Sequence, residues 1–312
     1  MAVARELQLK IKSIQNIKKI TEAMEAVAAN KMRRNQVAAL QARPYAEKAM
    51  ALLAHLSATP HEHEYPLLAR RPLKNILLVV YTADKGLCGA FNSNAIKEMN
   101  RHRAALVAEG KTSHVYSIGK KVHSYCRGHG IQEYGFIEGI GDTMHVGSIA
   151  TVAGGIIRGF ESEAYDEVRI LYNNFFSTVS QKLVVRQLLP FSQESLQQII
   201  ADIAPVSGKY ANETHKQANT NSPFRAHVDY AFEPDEAAVL NTLLPQLVQI
   251  QLLHALLESN ASEHSARMMA MKNANENAGE LLTDLQLTFN KARQAGITQE
   301  ISEIVTGAEA LT

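Results

Sequence analysis

Apolar residues recur at Leu7, Ile11, Ile14, Ile17, Ile20, Met24 and Val27, in steps of three and four. That spacing is the period of an α-helix with one apolar stripe. Residues 3–58 contain no glycine and one proline, Pro44, and alanine is frequent (Ala23, Ala26, Ala28, Ala29, Ala38, Ala39, Ala42). Alanine raises helix propensity and lets a partner helix come close. The stretch is predicted as one helix of about 80 Å, kinked at Pro44. The chain's other end mirrors it. Glu233-Pro234-Asp235-Glu236 reads as a helix start, with proline and acids in the first turn. Leu240, Leu243, Leu247, Ile250, Leu253 and Leu257 follow at helical steps, and Met268, Met271, Leu281, Leu285 and Phe289 extend the stripe. Pro245 is expected to kink this helix, and Gly279, Gly296 and Gly307 to weaken it without ending it. Runs this long exceed an ordinary globular helix and predict a coiled coil. The apolar heptad is not strict, so the coil is expected to be irregular, with many small-residue contacts.

Between the two helical ends the period changes. Asn75–Tyr81 (NILLVVY) is a buried-strand run, followed by a helix over residues 92–109, a strand at His114–Ile118 and a short helix at Lys120–Arg127 closed by Gly128 and Gly130. A helix at Val146–Glu163 and strands at Glu167–Tyr172 and Lys182–Leu189 complete the alternation. Alternating strands and helices predict a small α/β, Rossmann-like domain. Residues 205–228 are polar and rich in Asn and Thr, as in an exposed insertion. The expected organisation is therefore an N-terminal coiled-coil helix (1–58), an α/β domain (72–190), a polar insertion (205–228) and a C-terminal coiled-coil helix (235–312). The terminal helices would bury their stripes by pairing with each other, antiparallel.

Charge supports that pairing. The 312 residues carry 32 Lys+Arg and 31 Asp+Glu, a formal net charge of +1. Residues 1–48 hold ten basic and four acidic side chains, a net +6; residues 235–312 hold four basic and ten acidic, a net −6. Near-neutrality is thus a cancellation between ends that attract. The overall balance argues against a nucleic-acid binder, which needs a basic excess. The 46% hydrophobic content argues against bulk disorder. Two cysteines exclude a disulfide framework, and aromatics at 6% suit helix-on-helix packing. No run reaches the 18 or so consecutive apolar residues of a membrane span, and the N-terminus reads as amphipathic helix rather than a signal peptide. A soluble protein of a reducing compartment, such as the bacterial cytoplasm, is expected.

Motifs for chemistry are sparse. Gly110-Lys111-Thr112 ends like a phosphate loop, but position 105 is alanine and no strand leads into it. No G-x-G-x-x-G follows the first strand; Gly86 and Gly89 belong to a tight strand-to-helix turn. His123, Cys126 and His129 have metal-like spacing, but a fourth ligand would have to come from elsewhere, and a solvated or partly buried set is the stronger reading. His61-Glu62-His63-Glu64 is not H-E-x-x-H. Cys88 at a helix start could be a lowered-pKa nucleophile with Asp84 as base, although a small packed cysteine is the better reading. Met24, Met32, Met268, Met269 and Met271 read mostly as core filling.

Several long segments resemble one family. Ile14–Arg34 (IQNIKKITEAMEAVAANKMRR) is similar to the N-terminal helix signature of the gamma subunit of F-type ATP synthase. Asp84–Asn92 (DKGLCGAFN) resembles its D-R-G-L-C-G-G-L-N turn, with Asp84, Gly86, Cys88 and Gly89 in place. Tyr172–Gln181, Ala261–Gly279 and Asn290–Val305 resemble further family blocks, in order, over nearly the whole chain. The resemblance implies a central rotor shaft: an antiparallel coiled coil inside a ring of alpha and beta subunits. The α/β domain would be its foot, against the epsilon subunit and the c-subunit ring. The shaft would couple proton or sodium flow to ATP synthesis or hydrolysis at the beta subunits. The chain itself would be non-catalytic and without cofactor, peripheral to the cytoplasmic face of the bacterial membrane. It further implies that Met24, Arg293 and Gln294 contact a beta subunit and that Glu233, in YAFEP, lies near the c ring. Lys85 stands where the family often has arginine, and Ala90 and Phe91 replace Gly and Leu. The 205–228 stretch is longer than in many bacterial members. It has no cysteine, unlike the redox insertion of photosynthetic relatives. A static coiled-coil scaffold with an α/β head is the alternative, and a small α/β enzyme using Cys88 a further one.

Overall fold

The computed structural model describes residues 2–56, 65–139, 146–178, 180–191 and 236–309. The order of elements is α1 (Ala2–Leu56), β1 (Asn75–Tyr81), α2 (Phe91–Ala108), β2 (Thr112–Ile118), α3 (Lys120–Gly128), β3 (Glu133–Ile137), α4 (Val146–Glu161), β4 (Glu167–Phe175), β5 (Gln181–Leu189) and α5 (Glu236–Glu309). The chain divides into two compact units: Met1–Ala29 with Arg267–Thr312, and Asn30–Ala266. The polar insertion at 205–228 lies outside the described residues.

The first unit is a pair of helix segments. The chain leaves it at Ala29 and returns at Arg267, so the segments run antiparallel. A Cβ at Gly279 would come within 3.5 Å of the Lys18 ammonium nitrogen, which places the two helices in contact. The less exposed positions of α1 include the line Leu7, Ile11, Ile14, Lys18, Thr21, Glu25 and Ala28, flanked by Met24 and Ala29; those of α5 include the line Met271, Asn275, Ala278, Leu282, Leu285, Phe289 and Ala292, flanked by Ala274 and Gly279. Both lines alternate steps of four and three, a regular heptad. The seam is therefore regular in position, while its occupants are often small or polar. Past Ile14 the apolar stripe read from sequence departs from it: Ile17, Ile20 and Val27 are 46, 58 and 54% exposed. On α5, Leu281 faces outward and Leu282 turns inward.

The second unit holds a five-stranded sheet in the order β3-β2-β1-β4-β5. The first four strands are parallel and β5 is antiparallel to β4. β1 is central and buried on both sides, which is why NILLVVY is apolar without alternation. Ile76, Leu78 and Val80 pack with Ala95, Met99, Leu106, Val122 and Cys126 of α2 and α3. Leu77, Val79 and Tyr81 pack on the opposite face with Ile149, Val152, Ile156 and Phe160 of α4. The same core takes in Leu240, Leu244, Leu247, Val248, Leu252 and Leu256, so the first part of α5 lies on the sheet. β3, a short edge strand, goes beyond the strands read from sequence: EYGFI is half-buried and broken by Gly135. α1 continues through Pro44 and α5 through Pro245. By length and composition α5 also contains an 18-residue window apolar enough to cross a membrane, with mean hydropathy 1.2, half of it buried within the protein. Its leucines serve the core, the alternative use of such a composition.

Candidate partner-binding surfaces

In an open α/β sheet, ligands bind outside the C-terminal ends of the strands, where the strand order reverses. Here that place lies between β1 and β4. The turn after β1 is held by its own chain. Asp84 accepts backbone N–H bonds from Lys120 (2.9 Å) and Gly139 (2.9 Å), joining β1, the start of α3 and the end of β3. The Thr82 hydroxyl accepts the Val122 N–H at 3.0 Å, and Lys121 N–H donates to the Ala83 carbonyl. The first amides of α3 are thus satisfied internally, where a phosphate would otherwise bind. Gly119 makes this approach possible. Its φ is +100°, and a Cβ there would lie 2.0 Å from the Thr82 carbonyl oxygen.

Asp84 is therefore a structural clamp, and its carboxylate faces backbone amides of other elements. Cys88 is buried with Ala83 and Phe91 and accepts a bond from Asn92 Nδ2 at 3.1 Å; Asn92 Oδ1 in turn accepts the Ala83 N–H at 2.8 Å. Gly89 takes a φ of +56° in the same turn, while Gly86 is exposed. Leu87, between them, is 64% exposed with φ +63°, a left-handed conformation uncommon for leucine.

The other side of the crevice is filled by α5. Ala266 packs against the Cys88 and Phe91 cluster. Glu258 Oε2 accepts the Phe175 N–H at 2.9 Å, and the Ser262 hydroxyl donates to the Asn173 carbonyl at 3.2 Å. The Ser265 hydroxyl donates to the Thr178 carbonyl at 2.7 Å and accepts from Gln181 Nε2 at 3.2 Å. Sequence reasoning missed these residues. Their only signal was a polar interruption, Glu258 to Ser265, in an otherwise leucine-rich stripe.

The His123, Cys126 and His129 set does not converge. His123 Nδ1 lies 2.8 Å from Glu133 Oε2 and its ring stacks on Phe136 at 3.8 Å. His129 stacks on Tyr125 and meets the Tyr125 carbonyl at 2.9 Å. Cys126 points into the core, where burial pushes its thiol up to about 11. Among the described residues no group of three or more His, Cys, Asp and Glu side chains is placed to hold a metal ion. The histidines at 61 and 63 lie outside the described residues.

The remaining surface residues sit on the paired helices. Met24 is half-buried beside the seam of α1. Arg293 and Gln294 are exposed on α5, next to the inward Ala292. Exposed apolar side chains flank them: Ile17, Ile20 and Val27 on α1; Leu287, Ile297, Ile301, Ile304 and Val305 on α5. Large apolar groups at this density on paired helices mark surface made for protein contact. Glu233 lies outside the described residues.

Comparison with known proteins agrees over the whole length. A family model described as ATP synthase matches residues 3–311. The ATP synthase gamma chain of Chloroflexus aurantiacus is 40% identical over 315 residues, covering 100% of both chains. That of Methylobacillus flagellatus is 37% identical over 312 residues, again covering 100% of both. Among solved structures, the rotor of the Euglena gracilis mitochondrial ATP synthase has a TM-score of 0.59 at 20% identity, covering 95% of this chain and 99% of that one. The central stalk and c ring of the Tetrahymena thermophila mitochondrial ATP synthase gives 0.54 at 23% identity, with 82% and 99% covered. These structural likenesses are likenesses of fold.

Proposed function

Because this chain belongs to the ATP synthase gamma chain family, we propose that it is the rotor shaft of an F-type ATP synthase. It couples ion-driven rotation to ATP synthesis or hydrolysis at beta-subunit sites and is not itself the catalyst. The observation that carries this reading is the full-length match to bacterial gamma chains at 40 and 37% identity. The geometry supports it: the paired helices display exposed apolar side chains instead of hiding them, and the crevice of the α/β head is filled by the chain's own α5.

Its partners on this reading are the alpha and beta subunits around the paired helices, and the epsilon subunit and c ring at the head. The protein is a peripheral part of the membrane-associated complex, on the cytoplasmic face of a bacterial membrane. Met24, Arg293 and Gln294 meet a beta subunit, and Glu233 lies near the c ring. The segments 1–58, 72–190, 205–228 and 235–312 act as shaft, head, insertion and shaft. Coupling then requires that an asymmetric shaft make different contacts with chemically identical partners.

The test is reconstitution. The pure chain hydrolyses no ATP; assembled with alpha and beta subunits, it turns during hydrolysis, seen with a probe attached to the exposed face of α3. Robust hydrolysis by the pure chain, or an active assembly in which the probe stays still, would overturn the proposal.

A further inference from the structure

We propose that Glu258, Ser262 and Ser265 form a register lock: they fix the rotation and axial position of α5 on the head sheet and are positioning residues for torque transfer. The inference rests on the rotor reading, which requires the helix not to slip on the sheet it turns.

Most of the apolar contacts repeat one turn along the helix and so constrain its register weakly. Leu240, Leu244, Leu247, Val248, Leu252 and Leu256 form the buried α5 face in the sheet's core. A slide of one helical turn, about 5.4 Å, carries Leu240 to the place of Leu244, Val248 to that of Leu252, and Leu252 to that of Leu256. Aliphatic side chains of similar volume replace one another, and such swaps cost little in a packed core. Leu247 and Leu256 would reach the places of the buried Gln251 and Asn260, so the leucine face resists the slide only at these two members and tolerates it at the others.

The polar segment chooses the register. Glu258 takes the Phe175 N–H, Ser262 gives to the Asn173 carbonyl and Ser265 gives to the Thr178 carbonyl. All three partners are backbone groups at the end of β4 and in the turn toward β5, so they cannot follow the helix by changing rotamer. After a one-turn slide, Ala261 or Met269 would face Thr178. No hydroxyl would be available to that carbonyl. Ser262 and Ser265 are fully buried, so water does not replace the lost bonds. A polar group set among apolar contacts selects register in the same way within coiled coils. Tyr81, whose hydroxyl donates to the Leu252 carbonyl at 2.9 Å, adds a further directional contact from β1.

The experiment uses the full chain, free and in the assembled membrane complex. Ser265→Val removes the hydroxyl at the volume of Ser265→Thr, which keeps it. Glu258→Leu removes the acceptor that Glu258→Gln retains. In the complex, ATP hydrolysis and ATP-driven ion pumping are measured together. The Val and Leu variants are expected to keep most hydrolysis and to pump about threefold fewer ions per ATP or worse, as the loss of one buried bond allows. The Thr and Gln variants should restore the ratio. A pumping ratio unchanged in assembled Ser265→Val and Glu258→Leu overturns the lock. If either variant fails to assemble, hydrogen exchange of the free chain decides. Glu258→Leu should speed exchange at the Phe175 amide about tenfold while amides of β1 keep their protection; equal acceleration across the sheet means general destabilisation and also overturns it. A wild-type complex that neither pumps nor turns would sink the rotor reading instead, and the exchange result would still judge the lock.

Discussion

Gly119 shows how far one residue can constrain the head. Its φ of +100° and the 2.0 Å approach of a Cβ to the Thr82 carbonyl leave no room for a side chain. Gly119→Ala should cost about 2–4 kcal/mol of stability, from strain plus a backbone shift, read as a lowered urea midpoint. Cys126 makes a prediction in pH. Burial raises its thiol pKa from the ordinary 9.0 to about 11 in the folded chain. The folded state therefore holds the proton more tightly than the unfolded one. Stability from this group is fully present below about pH 9 and is lost as pH rises from about 9 to about 11. Denaturation of wild type and Cys126→Ala across that range should show the extra alkaline slope in wild type only. Equal slopes would mean that other groups carry it. Asp84 was a candidate base by position alone. Its two amide partners lie 36 and 55 residues further along the chain, so no local pattern could have revealed its role as a clamp.

At the scale of elements, α5 performs two tasks with two compositions. Its first third lies on the sheet, where Leu247 is fully buried. Leu247→Ala should cost about 2–5 kcal/mol in the free chain, as a core cavity does. Ile304 is 71% exposed, and Ile304→Ala should change stability by about 0.5 kcal/mol or less. Parallel urea melts of the two variants test this contrast, and comparable losses would mean that the exposed end is packed in solution. The central strands, α2, α3, α4 and both long helices were legible in the sequence because each has strong periodicity or a continuous apolar run. β3 was not. Five residues including Gly135 carry too little pattern, and the strand exists because β2 offers it an edge and His123 stacks on Phe136.

For the whole molecule, the residues proposed to meet the beta subunit are expected to affect coupling and leave stability alone. Arg293 and Gln294 are exposed on α5, so Arg293→Ala with Gln294→Ala should leave the melting of the free chain unchanged and weaken ATP-driven rotation in the complex. A loss of stability in the free chain would assign these residues to the internal fold. Charge belongs to this scale as well. Within the antiparallel unit that the ends share, residues 1–29 carry five basic and three acidic side chains and residues 267–312 four basic and six acidic, a net +2 against a net −2. Their attraction is long-ranged and screened by salt, so it favours the pairing but does not set the register.

By itself the sequence determined the period of each element, the alternation that makes the α/β head, and the pairing of the two ends. These follow from local rules: 3.6-residue spacing, buried-strand runs and net charge. It also carried the family, through long blocks in order. Tertiary structure decided which face of each helix turns inward. Ile17, Ile20 and Val27 are apolar enough for a core, yet the seam takes Lys18, Thr21 and Ala28, because the face that turns inward is set by packing against the partner helix and not by apolarity alone. It also decided that the crevice of the head is closed by Glu258, Ser262 and Ser265. Their bonds join residues more than 80 positions apart, a separation that no local pattern encodes.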